Sequence, residues 1–210
     1  MGQEGDDRLP EWAAICLANA PAPMRAPLEA LLLFDTRLAR IAGTAKEPAL
    51  AQIRMAWWRE ELGREHEAPP PDPLLRDLLV SWRDEPRALL ALIDGWEASL
   101  GTGPMAKDDR QLFETGNGEC FSALARMAGQ IAHALATAEH GRCWGRAKLA
   151  SLGEKIADHP VPSLPRLPRD LRALAVVGGL SRRALLRGGE RLFGDRLSPL
   201  AALRLALVGV

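Results

Sequence analysis

Apolar residues recur at spacings of three and four along almost the whole chain, and no segment alternates apolar with polar positions at the valine, isoleucine and threonine enrichment of a strand. The pattern predicts an all-α fold with helices near 11–20, 25–43, 48–65, 73–83, 86–100, 108–139, 146–157, 169–187 and 198–208. Proline and glycine punctuate them at 21–23, 68–73, 101–104 and 159–168 (HPVPSLPRLP), and Gly141 predicts the interruption after 139. The stretch 159–168 reads as a stiff connection inside a single domain, 1–210, rather than as a boundary.

Helix 48–65 is the most informative. Glu47 and Pro48 open it, because an acid suits the positive end of the helix dipole and proline in the first turn lacks only an amide that would be unpaired anyway. Leu50, Ile53 and Trp57 form one apolar stripe, and Ala51, Met55, Trp58 and Leu62 a second beside it. Two apolar sides predict a helix set deep among others, with Trp57 buried on folding. The charged residues around the tryptophans allow another use. Tryptophan and arginine dominate binding hot spots, so Arg54, Trp58, Arg59 and Glu61 are a candidate contact surface, against a packed alternative with Arg54 at cation–π spacing from Trp58.

Composition narrows the function. At 210 residues and 47% hydrophobic content, the chain can bury a sizeable core without disulfides or metal. Three widely spaced cysteines, a polar and acidic start (MGQEGDDRLPEW) and the lack of a long apolar run together predict a cytoplasmic protein without leader or span. The 27 basic and 27 acidic residues cancel, which argues against nucleic acid as a partner. Their distribution is uneven: nine arginines follow residue 165, making 169–210 a basic, leucine-rich segment. Such a segment suits either an anionic membrane surface or a solvated face over packed leucines.

Few residues group as chemistry requires. The glycine pairs at 178–179 and 188–189 follow no strand and lack the lysine of a phosphate loop. His133, His140 and Cys143 approach zinc spacing but have no fourth ligand. Asp94 and Glu97 stand one turn apart without a facing acidic pair, so a hydrated surface is expected there.

The order LLLFDTRLARI (31–41), then EPALAQIRMAWWREELG (47–63), LLALIDGWEASLG (89–101) and ETGNGECFSALARMAGQIA (114–132) resembles the squalene/phytoene synthase family. The tryptophan helix is similar to a signature of the form EPxLxQIRxxWWRxxL, found in a non-catalytic branch that includes a mitochondrial assembly factor for respiratory complex I. The resemblance implies an isoprenoid-synthase-type helical bundle. Active members join two prenyl diphosphates head to head, with two aspartate-rich clusters on facing helices holding magnesium. Matching those motifs places their acidic positions at Ala39, Arg40 and Gly43, and at Thr137, His140 and Gly141, none of them a carboxylate; the chain also has no tyrosine, which the family commonly carries near its second cluster. The implied protein is a pseudoenzyme without cofactor, acting by binding as an assembly factor or scaffold. Its expected partner is a protein, with a prenyl or anionic lipid and peripheral contact at the inner membrane face as further expectations. The alternatives are an active, magnesium-dependent prenyltransferase and a prenyl-lipid carrier.

Overall fold

A computed structural model describes residue 9 and residues 12–44, 47–101, 103–154, 160–189 and 198–208. Nine α-helices occupy them: α1 (Ala13–Ala18), α2 (Ala22–Thr44), α3 (Pro48–Gly63), α4 (Pro73–Ser81), α5 (Pro86–Ala98), α6 (Lys107–Met127), α7 (Ala134–Ser151), α8 (Arg172–Leu186) and α9 (Ser198–Val208). The described residues contain no strand, so the all-α expectation holds.

Proline stands in the first turn of α3, α4 and α5, where its missing amide costs nothing. Asp72 caps α4 by accepting from the Leu75 amide at 3.1 Å, and its other oxygen meets Arg37 of α2 at 3.2 Å. Pro27 lies inside α2, and its carbonyl accepts from the buried Trp82 indole at 3.0 Å. Thus α4 is tied to α2 at both ends.

The long helix expected over 108–139 is two, and the break is not at Gly141. The chain turns at Ala128–Gln130, where Gly129 takes φ +72°, and α7 then runs unbroken through Gly141 to Ser151. Gly141 is a contact point: a β-carbon there would lie 2.4 Å from the Asn117 carbonyl oxygen of α6. On the opposite side of α6, a β-carbon on Gly116 would lie 2.2 Å from the Ala91 oxygen of α5. Glycine is therefore required for α6 to fit between its neighbours. Of the remaining expected segments, 155–157, His159 of the proline-rich connection, and Glu190, Arg191, Asp195 and Arg196 of the basic tail lie outside the described residues.

Helix α3 corrects the sequence expectation most directly. Ala51, Met55, Trp58 and Leu62 are buried, whereas Leu50, Ile53 and Trp57 are 48%, 66% and 43% exposed. The neighbours of α3 are α2, α4 and α5, and only one of its two apolar stripes faces them. Trp58 packs on Phe34 with ring centroids 5.0 Å apart, while Trp57 meets Trp58 edge-on at 5.1 Å from outside. Trp58→Ala should cost about 3–5 kcal/mol, as large truncations in cores do, and Trp57→Ala less than about 1 kcal/mol. Denaturant midpoints of the two variants test the assignment, and the reverse order would refute it.

Candidate functional site

An acid stands in the apolar stripe of α2. Asp35 follows Phe34 among Leu28, Leu31 and Leu38, all buried, and is itself 6% exposed. Its Oδ1 accepts from the Lys148 ammonium of α7 and from the Trp96 indole of α5 at 2.9 Å. Aromatic rings surround the ammonium: Trp144 at 3.9 Å, and Trp96 and Phe113 at 5.3 Å each, measured to the centroids. Burial pushes the Lys148 amine down from its ordinary value, and the Asp35 carboxylate draws it back up. Desolvated cation–π contacts are worth roughly 2 kcal/mol and offset part of the cost of burying the ammonium. Sequence reasoning missed this pair. A visible sign was the aspartate of LLLFDTRL at a position the apolar stripe would bury.

The positions matched to the family's acidic motifs serve packing or face outward. On α2, Ala39 follows Asp35 by one turn and is half-buried, as is Arg40, and Gly43 is exposed near the helix end. On α7, the Thr137 hydroxyl donates back to its own helix, to the Ala134 carbonyl at 2.8 Å. His140 Nε2 donates to the Pro165 carbonyl at 2.8 Å, leaving Nδ1 buried with no partner, and Gly141 abuts α6 as described. Magnesium needs several carboxylate or carbonyl oxygens at octahedral spacing. Among the described residues no three histidine, cysteine, aspartate or glutamate side chains converge as ligands, so the residues present do not fit that ion. His133, His140 and Cys143 form no such group either. Burial pushes the Cys143 thiol up to about 12, which keeps it protonated and a poor metal ligand.

The candidate contact surface does not survive as a set. Trp58 and Glu61 are buried, Arg59 is partly covered, and Arg54 alone of the four is exposed. The cation over Trp58 is Arg37, 5.8 Å from its centroid, and not Arg54. Glu61 accepts from Arg64 at 2.8 Å. Arg59 reaches α5, bonding Asp94 at 2.5 Å and Glu97 at 2.7 Å, so the acidic pair expected to be merely hydrated binds α3 to α5. The side chains that α3 turns outward include Leu50, Ile53, Arg54 and Trp57, with Gln52 and Glu60 also exposed.

Removing one member of a buried ion pair strands the other. Asp35→Ala or Lys148→Ala should each cost about 3–5 kcal/mol, and Asp35→Leu combined with Lys148→Met should recover most of it. Denaturation of the three variants checks this, and additive losses in the double variant would refute the pairing.

His140 makes stability depend on pH. Desolvation lowers its pKa from the ordinary 6.5, although the bond to Pro165 opposes the shift. Below pH 6.5 the unfolded chain takes the proton more readily than the folded one. The contribution is therefore complete above pH 6.5 and is lost as pH falls toward the folded value, with a slope of at most about 1.4 kcal/mol per pH unit. A pH series of denaturation curves should be flatter for His140→Gln than for the wild type.

The squalene/phytoene synthase family model matches residues 13–117. Neither the search of curated proteins nor that of solved structures returned a match. The matched stretch runs from α1 into α6, taking in Asp35, the tryptophan helix and its Asp94 and Glu97 partners, and it ends before α7. Half of the chain is thus covered, and its all-α bundle is of the isoprenoid-synthase type: the protein belongs to the squalene/phytoene synthase family.

Proposed function

We propose that the protein is a non-catalytic member of its family and works by binding, in an assembly or scaffolding role. The observation that carries this reading is the contact between α2 and α7, where Asp35 is neutralised by Lys148 inside a ring of Trp96, Phe113 and Trp144. Prenyl condensation needs carboxylates arranged to hold metal against a diphosphate, and a pocket that stabilises a carbocation. Held in that ion pair, Asp35 is not free to serve as a metal ligand. Arg40 on α2 carries a positive charge at a position matched to a metal-ligating aspartate.

A binding role needs an accessible surface, and the outward side of α3 offers one. Leu50, Ile53 and Trp57 lie there beside Arg54, within the stretch similar to the branch signature. We assign this face the contact with a protein partner.

The test is turnover. Purified protein given farnesyl or geranylgeranyl diphosphate with magnesium should release no pyrophosphate and form no condensed product. Condensed product would overturn the reading. Heat stabilisation by the same diphosphates, with magnesium or with a chelator, separates the alternatives: stabilisation only with magnesium favours a metal-dependent prenyltransferase, and equal stabilisation with chelator favours a prenyl carrier.

A further inference from the structure

Helix α9 packs Ala202, Leu205 and Ala206 inward and turns its other leucines outward. Ala202 and Ala206 are buried, whereas Leu200, Leu203 and Leu207 are 62%, 52% and 67% exposed on one face, with Arg204 exposed beside them. An uncovered row of large apolar side chains marks an interaction surface, and the charge of this part of the chain indicates its occupant. Among the described residues from 160 onward there are seven arginines and one acid, Asp170.

At the C-terminal end of the leucine row lies a groove of about 560 Å³, lined by Arg169, Asp170, Arg172, Ala206 and Leu207 on one side and by residues 18–21 on the other. Arg172 donates from Nη1 to the Ala206 and Leu207 carbonyls, and its Nε is buried without an acceptor. Asp170 already accepts from Gln130 at 3.2 Å. The groove thus joins the exposed Arg169 guanidinium to the leucine row, while Arg172 ties the end of α9 to the start of α8.

We infer that α9 and the Arg169–Arg172 groove dock the protein on an anionic phospholipid bilayer. Leu200, Leu203 and Leu207 enter the boundary of the acyl chains, and headgroup phosphates meet the exposed Arg169 and Arg204. A bilayer supplies an apolar layer directly beneath a layer of phosphates, which suits a leucine row with arginines beside it. With 11 residues α9 can lie in the interface, and among the described residues no helix is long and apolar enough to cross a membrane. The inference is independent of the non-catalytic reading, since a lipid-binding result says nothing about prenyl turnover.

Sedimentation of the full chain with vesicles tests it. The protein should sediment with phosphatidylcholine vesicles containing phosphatidylglycerol and not with phosphatidylcholine alone, and should be released as salt rises beyond about 0.15 M, where the screening length is about 8 Å. Leu203→Gln with Leu207→Gln should weaken binding roughly tenfold. Arg169→Gln and Arg204→Gln should each weaken it about fivefold. All four side chains are exposed, so melting temperatures should match the wild type; if a pair lowers them, Leu207→Ser and Arg204→Gln alone carry the test at smaller effect. Equal sedimentation with neutral vesicles, or variants that bind like the wild type, would overturn the proposal. So would heat stabilisation by inorganic phosphate without vesicle binding, which would make the groove a site for free phosphate.

Discussion

An ammonium placed inside a helical bundle loses several kcal/mol of hydration, and the arrangement of α2, α5, α6 and α7 answers that loss. Each helix supplies one group to Lys148: Asp35 from α2, Trp96 from α5, Phe113 from α6, and Trp144 from α7 itself. A buried ion pair seldom stabilises more than apolar residues of the same volume would. What it adds here is register. A slide of α7 by one turn would take the ammonium away from both the carboxylate and the rings, so the pair selects one alignment among several that apolar packing alone would accept.

The glycines set how closely the helices can respond to that demand. Without β-carbons at Gly116 and Gly141, the backbone of α6 lies against α5 on one side and α7 on the other. One residue before Gly141 on α7, a β-carbon on Gly178 of α8 would lie 2.4 Å from His140 Nδ1, so the buried imidazole also depends on a glycine opposite it. Close backbone approach at these points brings the aromatic rings within reach of Lys148 and leaves the α7 motif positions facing helix seams.

The fold was largely legible in the sequence because helical periodicity is local. The expected limits of α9 match those observed, and those of α3 to within two residues. The failures were failures of context. By residue type alone Gly141 is a helix breaker, and only the position of α6 reveals it as a contact. The two stripes of α3 were both apolar, and nothing within the helix says which one meets α2, α4 and α5. Asp94 and Glu97 were visible as a pair, but their partner Arg59 is 35 residues from Asp94 along the chain. Asp35 and Lys148 are 113 residues apart, a pairing that periodicity cannot register.

On the proposed reading, a bundle braced through its interior must act through its surface. The two outward apolar rows differ in the charge around them. Leu50, Ile53 and Trp57 of α3 have Arg54 beside them and Glu60 one turn farther on, so opposite charges accompany the row and a protein surface of mixed charge can meet it. Leu200, Leu203 and Leu207 of α9 have the exposed Arg204 beside them and Arg169 at the groove by Leu207, with Asp170 the acid there among the described residues, which favours a phosphate-rich surface. The rows also rest on different parts of the bundle, α3 on α2, α4 and α5, and α9 on α8 and α1. Occupying one therefore need not displace the other, and a chain held on a bilayer through α9 would keep α3 available to a protein partner.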